Sequence, residues 1–334
     1  GFDVIFFGHD HQKVASVVSP DNLSEGTWII DPANNARSIG LATVTLTLKN
    51  GKVASKDIEG ELVDIEHEEV DADYMAHFKG DIEKLTVFCN KRVGELECDV
   101  NSSDLFFGSS ALGDLILNLQ LQITGADISF NAPLLYNSTL QKGPLTMADM
   151  FRLYKYENKL YVMKMTGKEI KGHLEMSYAL WTNQMKSPED HIMRLSPSNV
   201  SNEREGFLNP FFNFDSAAGI DYEVDVTKPE GEKVRILRMS NGDPFDEDKW
   251  YKVAVNSYRG NGGGELITKG AGIPKEEIDN RIIYRSELDQ RYYLMKEIER
   301  MGHITPKPNN NWRFVPEEWA NPAIEHDRMQ MFGR

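Results

Sequence analysis

The chain has 334 residues and a mass of 37.9 kDa, enough for one large domain or two modest ones. Hydrophobic residues make up 40% and charged residues 27%, a globular balance that excludes disorder as the general state. The formal net charge of −15 argues against a nucleic-acid polymer as partner, leaving room for a local pocket for one small anion, and no apolar run of about 18 residues reads as a membrane span.

Residues 2–7 are β-branched and aromatic and predict a buried strand. A core strand with no lead-in reads as the start of a fragment of a longer protein, so the lack of a leader says nothing about location. The strand runs into Gly8-His9-Asp10-His11. Trp28-Ile29-Ile30, the alternating run Leu41–Leu48 and residues 61–66 predict further strands, with Asn50-Gly51 as a hairpin turn. Residues 1–66 therefore read as mostly β, and residues 1–70 as the first body. Residues 71–92 have a charged helical pattern that suits a linker helix, and the acidic run from Glu66 to Asp73 reads as a solvated face.

Residues 93–334 read as a second body. A strand is expected at 93–99, then a helix from about Ser109 to Gln122 with Leu112, Leu115, Ile116, Leu119 and Ile123 on one face, stopped by Gly125. A strand follows at 126–130, a short helix opens at Thr146, and Leu160–Met165 is a strand. Thr166 and Glu169 form a capping box that opens a helix to about Trp181. Residues 183–217 are polar and irregular. Strands are expected at 220–226, 232–239 and 251–257, a helix at 286–301, and a Pro-rich irregular tail. The fold class is α+β. Cys89 and Cys98 are the only cysteines, and one bridge or two free thiols are both open.

His9 and His11 follow a buried strand directly. Side chains two apart on an extended backbone point the same way, so two imidazoles would face one spot beside Asp10. Imidazole suits zinc, manganese, iron or nickel. A solvated pair of loop histidines is the plain alternative. His67, His77, His173, His191, His303 and His326 have no metal-like spacing and read as surface or structural residues.

The run from Gly1 to His11 resembles the closing motif of the calcineurin-like metallophosphatase domain, Gly-His-x-His, and Asn35–Gly40 with the hairpin after it resembles how that domain ends. The resemblance implies that His9 and His11 each ligate one metal of a two-metal centre. The remaining ligands and the catalytic residues would then lie upstream of residue 1. Two divalent ions are implied for the intact enzyme and none firmly bound here, since two histidines alone make a weak, open site.

From about residue 95 to 275 the chain resembles the carboxy-terminal domain of 5′-nucleotidases and UDP-sugar hydrolases. Four segments carry the likeness: Leu112-Gly113-Asp114-Leu115, Gly125–Asn131, Tyr154–Asn158 and Val255–Gly264. The resemblance assigns Tyr156 and Tyr258 as the two rings that sandwich a base, Asn131 as a ligand contact, and Asn261, Gly262 and Gly263 as a loop whose backbone approaches the ligand. Two departures bear on the substrate. Tyr136 stands where the family has an Arg that holds the nucleotide, and Gly264 stands where it has a ribose-contacting Asp. Glu265 is the neighbouring acid, and Arg259 or Arg152 the candidate replacement cation.

The resemblance implies a metal-dependent nucleotide phosphohydrolase of 5′-nucleotidase type, this chain supplying mainly the nucleoside-binding domain and inactive alone. A periplasmic or cell-surface location is implied with it. Cyclic 2′,3′-nucleotides and UDP-sugars are alternative substrates. The rival from another class is a non-catalytic ligand-binding or cell-surface module with a degenerate pocket.

Overall fold

The computed structural model describes residues 1–9, 11–19, 26–196 and 206–333. The chain divides into two compact units, Gly1–Glu83 and Lys84–Arg334. Unit 1 holds β1 (Val4–Phe6), β2 (Lys13–Val18), β3 (Thr27–Pro32), β4 (Ser38–Lys49) and β5 (Lys52–Asp64), and the division falls within α1 (Ala72–Cys89). In β1-β3-β2, β1 is parallel and β2 antiparallel to β3, while β4 and β5 form a hairpin. Asn50 and Gly51 both have positive φ, 54° and 76°, as a tight primed hairpin turn requires. The hairpin meets β3 through two glycines: a Cβ on Gly60 would lie 2.5 Å from the Trp28 ring, and one on Gly40 2.5 Å from Ile30. The strand β2 is not among the expected elements, although its valines carried the signal.

Unit 2 continues with β6 (Arg92–Leu96), β7 (Val100–Asn101), α2 (Ala111–Thr124), β8 (Ile128–Asn131), β9 (Thr139–Leu140), β10 (Gly143–Thr146), α3 (Met147–Leu153), β11 (Lys159–Thr166) and α4 (Gly167–Trp181). Then come β12 (Ser216–Ala218), β13 (Ile220–Asp225), β14 (Val234–Met239), β15 (Trp250–Asn256), α5 (Ser257–Gly260), α6 (Ile278–Arg281), β16 (Ile282–Asp289), α7 (Gln290–Met301), β17 (His303–Ile304), β18 (Trp312–Val315) and α8 (Glu317–Phe332). The main sheet has the order β12-β8-β15-β11-β16. Smaller sheets are β14-β13-β18, β10-β6-β17 and β7-β9.

Local chemistry sets the helix ends. Ser110 Oγ accepts from Gly113 N at 3.3 Å at the start of α2, and Gly125 closes it in the left-handed conformation at φ 63°. Thr166 and Glu169 form the reciprocal capping box of α4. One apolar cluster gathers around Phe106, Trp181, Phe214 and Tyr222, and a second around Leu112, Leu119, Leu294 and Ile298. Cys89 and Cys98 are free thiols. Among the described residues no helix is long and apolar enough to cross a membrane.

Three expectations fail here. The strand at residues 2–7 is not buried, with Phe2 and Phe6 76% and 58% exposed. Residues 286–289 belong to β16 and not to a helix; β16 pairs antiparallel with β11, and α7 starts only after Asp289 caps it. The tail is not irregular. It adds β18 parallel to β13 and ends in the 16-residue α8. Two prolines disguised that helix: Pro316 sits at its N-cap, and Pro322 lies inside, where it forfeits a backbone hydrogen bond without ending the helix. Within the expected irregular stretch 183–217, residues 197–205 lie outside the described residues; the rest holds two isolated bridges, one short helical turn and the start of β12.

Candidate nucleoside-binding edge and histidine loop

Strand directions decide where the main sheet gathers its chemistry. β8 and β15 run parallel, with Ser129 opposite Ala254. β11 is antiparallel to β15 (Leu160 opposite Asn256), β16 to β11 (Lys159 opposite Asp289), and β12 to β8 (Ser216 opposite Asn131). One edge of the sheet therefore collects the ends of β8, β15 and β16 and the starts of β11 and β12. Asn131 closes β8 there, Tyr156 precedes β11, and Tyr258 follows β15. The last two segments are stitched together, because Lys159 N donates to Ser257 Oγ at 3.0 Å.

The three tyrosines around the start of β11 separate by burial. Tyr154 is fully buried and Tyr161 is 8% exposed, while Tyr156 is 36% exposed. Tyr156 is thus the ring of this run that offers a face to solvent. Tyr258 is 39% exposed, with Phe212 edge-on at 6.2 Å between ring centres. Asn131 is buried. Its Nδ2 donates to Ala132 O at 2.9 Å, and among the described residues its Oδ1 has no hydrogen-bond partner.

The Gly-rich loop has a structural reason beyond ligand approach. A Cβ on Gly263 would lie 2.5 Å from two atoms of the Tyr258 ring, and one on Gly264 would lie 2.1 Å from Asn213 Oδ1 and 2.4 Å from Arg259 Nη1. The glycines let the chain fold flat against Tyr258 and Arg259. Gly264 also has φ 67°, so an Asp at this position would be both crowded and strained. Asn261 N caps α5 through Ser257 O at 3.0 Å, and the Asn261 side chain is exposed. Glu265 pairs with Lys269 at 2.8 Å.

Arg259 does not face a ligand. It is 2% exposed, and all five of its donors are taken. Nε and Nη2 donate to the two oxygens of Asp215 at 2.8 and 2.9 Å, Nη1 donates to Gly263 O at 2.7 Å and Asn213 Oδ1 at 3.2 Å, and Nη2 also donates to Phe212 O at 3.0 Å. His173 Nε2 lies 2.8 Å from Asp215 Oδ2, and its ring stacks on Phe130 at 4.2 Å. Burial would raise the Asp215 carboxyl, but the Arg259 guanidinium and His173 outweigh it and hold it below the usual carboxylate range. Burial lowers His173, against the pull of Asp215. His173 is therefore neutral, and with Asp215 ionised its proton sits on Nε2. This buried His–Asp–Arg chain ties α4 and the segment before β12 to the loop that carries Tyr258. Sequence spacing could not reveal it, since His173, Asp215 and Arg259 come from three separate elements. Arg152, the other candidate cation, is half exposed and donates to Thr139 O at 2.8 Å.

Tyr136, expected where a nucleotide-holding Arg would stand, is a packing residue here. Its ring lies 4.7 Å from that of Phe332, and its hydroxyl donates to Met331 O at 3.1 Å.

In unit 1, His9 and His11 lie in the loop after β1, and both are exposed. The premise of an extended backbone does not hold, because their φ values are 86° and 60°. His11 Nδ1 is 3.1 Å from Asn34 Nδ2. Asp10, the expected neighbour of the pair, lies outside the described residues. Among the described residues no third His, Cys or carboxylate joins the two in a cluster. The donor type fits a metal, but the donor set fits only part of a site.

A trifunctional nucleotide phosphoesterase from Bacillus subtilis is 26% identical over 369 aligned positions, covering 97% of this chain and 24% of that protein. A 2′,3′-cyclic-nucleotide 2′-phosphodiesterase/3′-nucleotidase from Salmonella typhimurium is 33% identical over 193 residues, 53% of this chain and 27% of that protein. The chain thus spans about a quarter of the length of these relatives. Among solved structures, the fold is similar to a Staphylococcus aureus protein in complex with α-ketoglutarate, with a TM-score of 0.70 at 20% identity, covering 93% of this chain and 56% of that one. It is also similar to a 5′-nucleotidase precursor from Thermus thermophilus, with a TM-score of 0.55 at 19% identity over 94% and 60% of the two chains. Residues 92–269, more than half of the chain, match the model of the 5′-nucleotidase, C-terminal domain family, and with the α+β fold and the sheet edge described above, the chain belongs to that family.

Proposed function

We propose that this chain is the nucleoside-gripping part of a metal-dependent nucleotide phosphohydrolase. Residues 1–70 are then the closing part of a metallophosphatase domain, 71–92 its linker helix, and 93–334 the substrate-binding domain. The observation that carries this reading is the pair of half-exposed rings, Tyr156 and Tyr258, on two bonded segments at one sheet edge within the matched family region. Two rings on separate segments can hold a flat base by stacking, worth roughly 1–3 kcal/mol per base. Asn131 Oδ1, Asn261 and the backbone of Gly262 and Gly263 supply polar groups beside them.

Relatives matched over 192–193 residues at 30–33% identity are named for 2′,3′-cyclic-nucleotide 2′-phosphodiesterase and 3′-nucleotidase activity, which favours those nucleotides over UDP-sugars. His9 and His11 would hold two divalent ions together with residues not on this chain, and such ions polarise a phosphate and activate water. A periplasmic or secreted location accompanies this reading. The packed Tyr136 suits a second reading, a ligand-binding module without chemistry.

Calorimetric titration with adenosine and uridine tests the base site. Tyr258→Ala should cost roughly 1–3 kcal/mol of affinity, and Tyr258→Phe should be nearly neutral, because stacking needs the ring and not the hydroxyl. Ala binding as tightly as the parent chain would move the pocket elsewhere. In the full-length enzyme, His9→Ala should lower turnover far more than it weakens nucleoside binding. Binding without any turnover in the parent enzyme would select the second reading.

A further inference from the structure

Three side chains with no part in the sheet-edge site meet where the segment after α4 touches α8. Linear spacing hides them, because His191 and Asp327 are 136 positions apart. Asp327 is fully buried, while the side chains of His191 and His326 are 38% and 57% exposed. His191 Nδ1 is in hydrogen-bond contact with Asp327 Oδ1, and His326 Nδ1 lies 3.7 Å from the same oxygen. The two imidazoles lie side by side, 4.7 Å between centres and tilted by 30°. One ligand atom from each of the three residues lies within 4.8 Å of the others.

The surroundings hold this geometry. Met193 N donates to Asp327 Oδ2 at 2.8 Å, and Asn183 Nδ2 donates to His191 O at 3.0 Å and Met193 O at 2.8 Å. Asp327 is a carboxylate out of water, and among the described residues no Lys or Arg pairs with it. The Met193 N–H and the His191 imidazole are neutral partners when the ring is unprotonated, and a dication held by the three side chains would offset the desolvation of that charge. Two imidazoles and one carboxylate are donors that suit zinc and its neighbours. With bonds of about 2.0–2.2 Å, donors around a tetrahedral ion stand roughly 3.3–3.6 Å apart. The His326–Asp327 separation of 3.7 Å lies just above that range, and all three ligand atoms lie within 4.8 Å of one another, so small rotations of the two exposed rings would complete the set.

We propose that His191, His326 and Asp327 form a site for a divalent transition metal of the zinc class, which clasps α8 onto the segment after α4. The proposal is independent of the nucleotide reading. The clasp has a purpose in the fold, because α8 carries Met331 and Phe332 onto Tyr136. A metal bound only by the folded chain stabilises it by mass action.

Equilibrium dialysis with zinc alone tests this, using the whole chain with His9→Ala and His11→Ala to remove the other imidazole pair. One ion per chain should bind, and zinc should raise the melting temperature. Adding His326→Ala, an exposed position whose loss leaves the fold intact, should weaken zinc by roughly tenfold or more and abolish the thermal shift. His191→Ala should do the same. The proposal is overturned if the His9→Ala, His11→Ala chain binds no zinc, or binds it equally well without His326.

Discussion

Between Gly1 and Glu83 the described residues bury only Ile30, Asp31 and Ser38, whereas Lys84–Arg334 closes two apolar clusters. In the hairpin of unit 1, Ile39, Leu41, Val44, Leu46 and Leu48 are each 42–63% exposed, and α1 buries no residue. Strand content therefore does not distinguish the two units. Unit 1 is held by ladder hydrogen bonds and the Trp28–glycine contacts, and unit 2 by side-chain burial. The candidate base site sits on the unit with the core, where a buried charge chain can fix a loop. His9 and His11 sit on exposed loop backbone of the other.

The comparison breaks most easily in the core of unit 2. Trp181→Ala should destabilise the chain by about 3–5 kcal/mol, and Arg259→Ala by a similar amount, since it leaves the buried Asp215 charge with only the neutral His173 imidazole as side-chain partner among the described residues. Urea unfolding measures both, and a loss of under about 1 kcal/mol for either would deny that unit 2 is held this way. Acid should weaken unit 2 in two stages. The folded His173 value is lowered from 6.5, so the unfolded chain takes up a proton first and stability falls as the pH drops below about 6.5. The folded Asp215 value is lowered from 3.8, so its contribution is present above that pH and is lost below it, as the folded carboxylate protonates. Melting temperatures across this range check the sign, and His173→Gln should remove the upper stage. Ser110→Ala, which removes the α2 cap, should cost about 1 kcal/mol. Smallest of all, Leu46→Ala in unit 1 should stay within about 0.5 kcal/mol, and a larger loss would mean that the hairpin has a core after all.

Much of unit 2 was legible because its signals are local. The cap at Ser110, Gly125, the box at Thr166 and Glu169 and the apolar face of α2 each declare an element within a few residues. What stayed hidden is long-range. The end of β16, residues 286–289, reads as helix until β11 pairs with it, and α8 reads as tail because Pro316 and Pro322 look like breakers. Of the site, Tyr156 and Tyr258 came from a resemblance, and burial then separated Tyr156 from Tyr154 and Tyr161. The Arg259–Asp215–His173 chain and the His191–His326–Asp327 cluster needed coordinates, because each joins residues from distant elements. His9 and His11 were correctly placed after a strand, but the extended backbone assumed for them gives way to positive φ at both.

Hydrogen-exchange mass spectrometry of the whole chain, with and without saturating adenosine, tests the central claim that the nucleoside is gripped by the cored unit alone. Without ligand, β8, β11 and β15 should exchange far more slowly than the β4–β5 hairpin. With adenosine, added protection should fall on residues 154–158 and 256–264 and leave residues 1–83 unchanged. Protection centred on the histidine loop of unit 1, or none at the two tyrosine segments, would contradict the account.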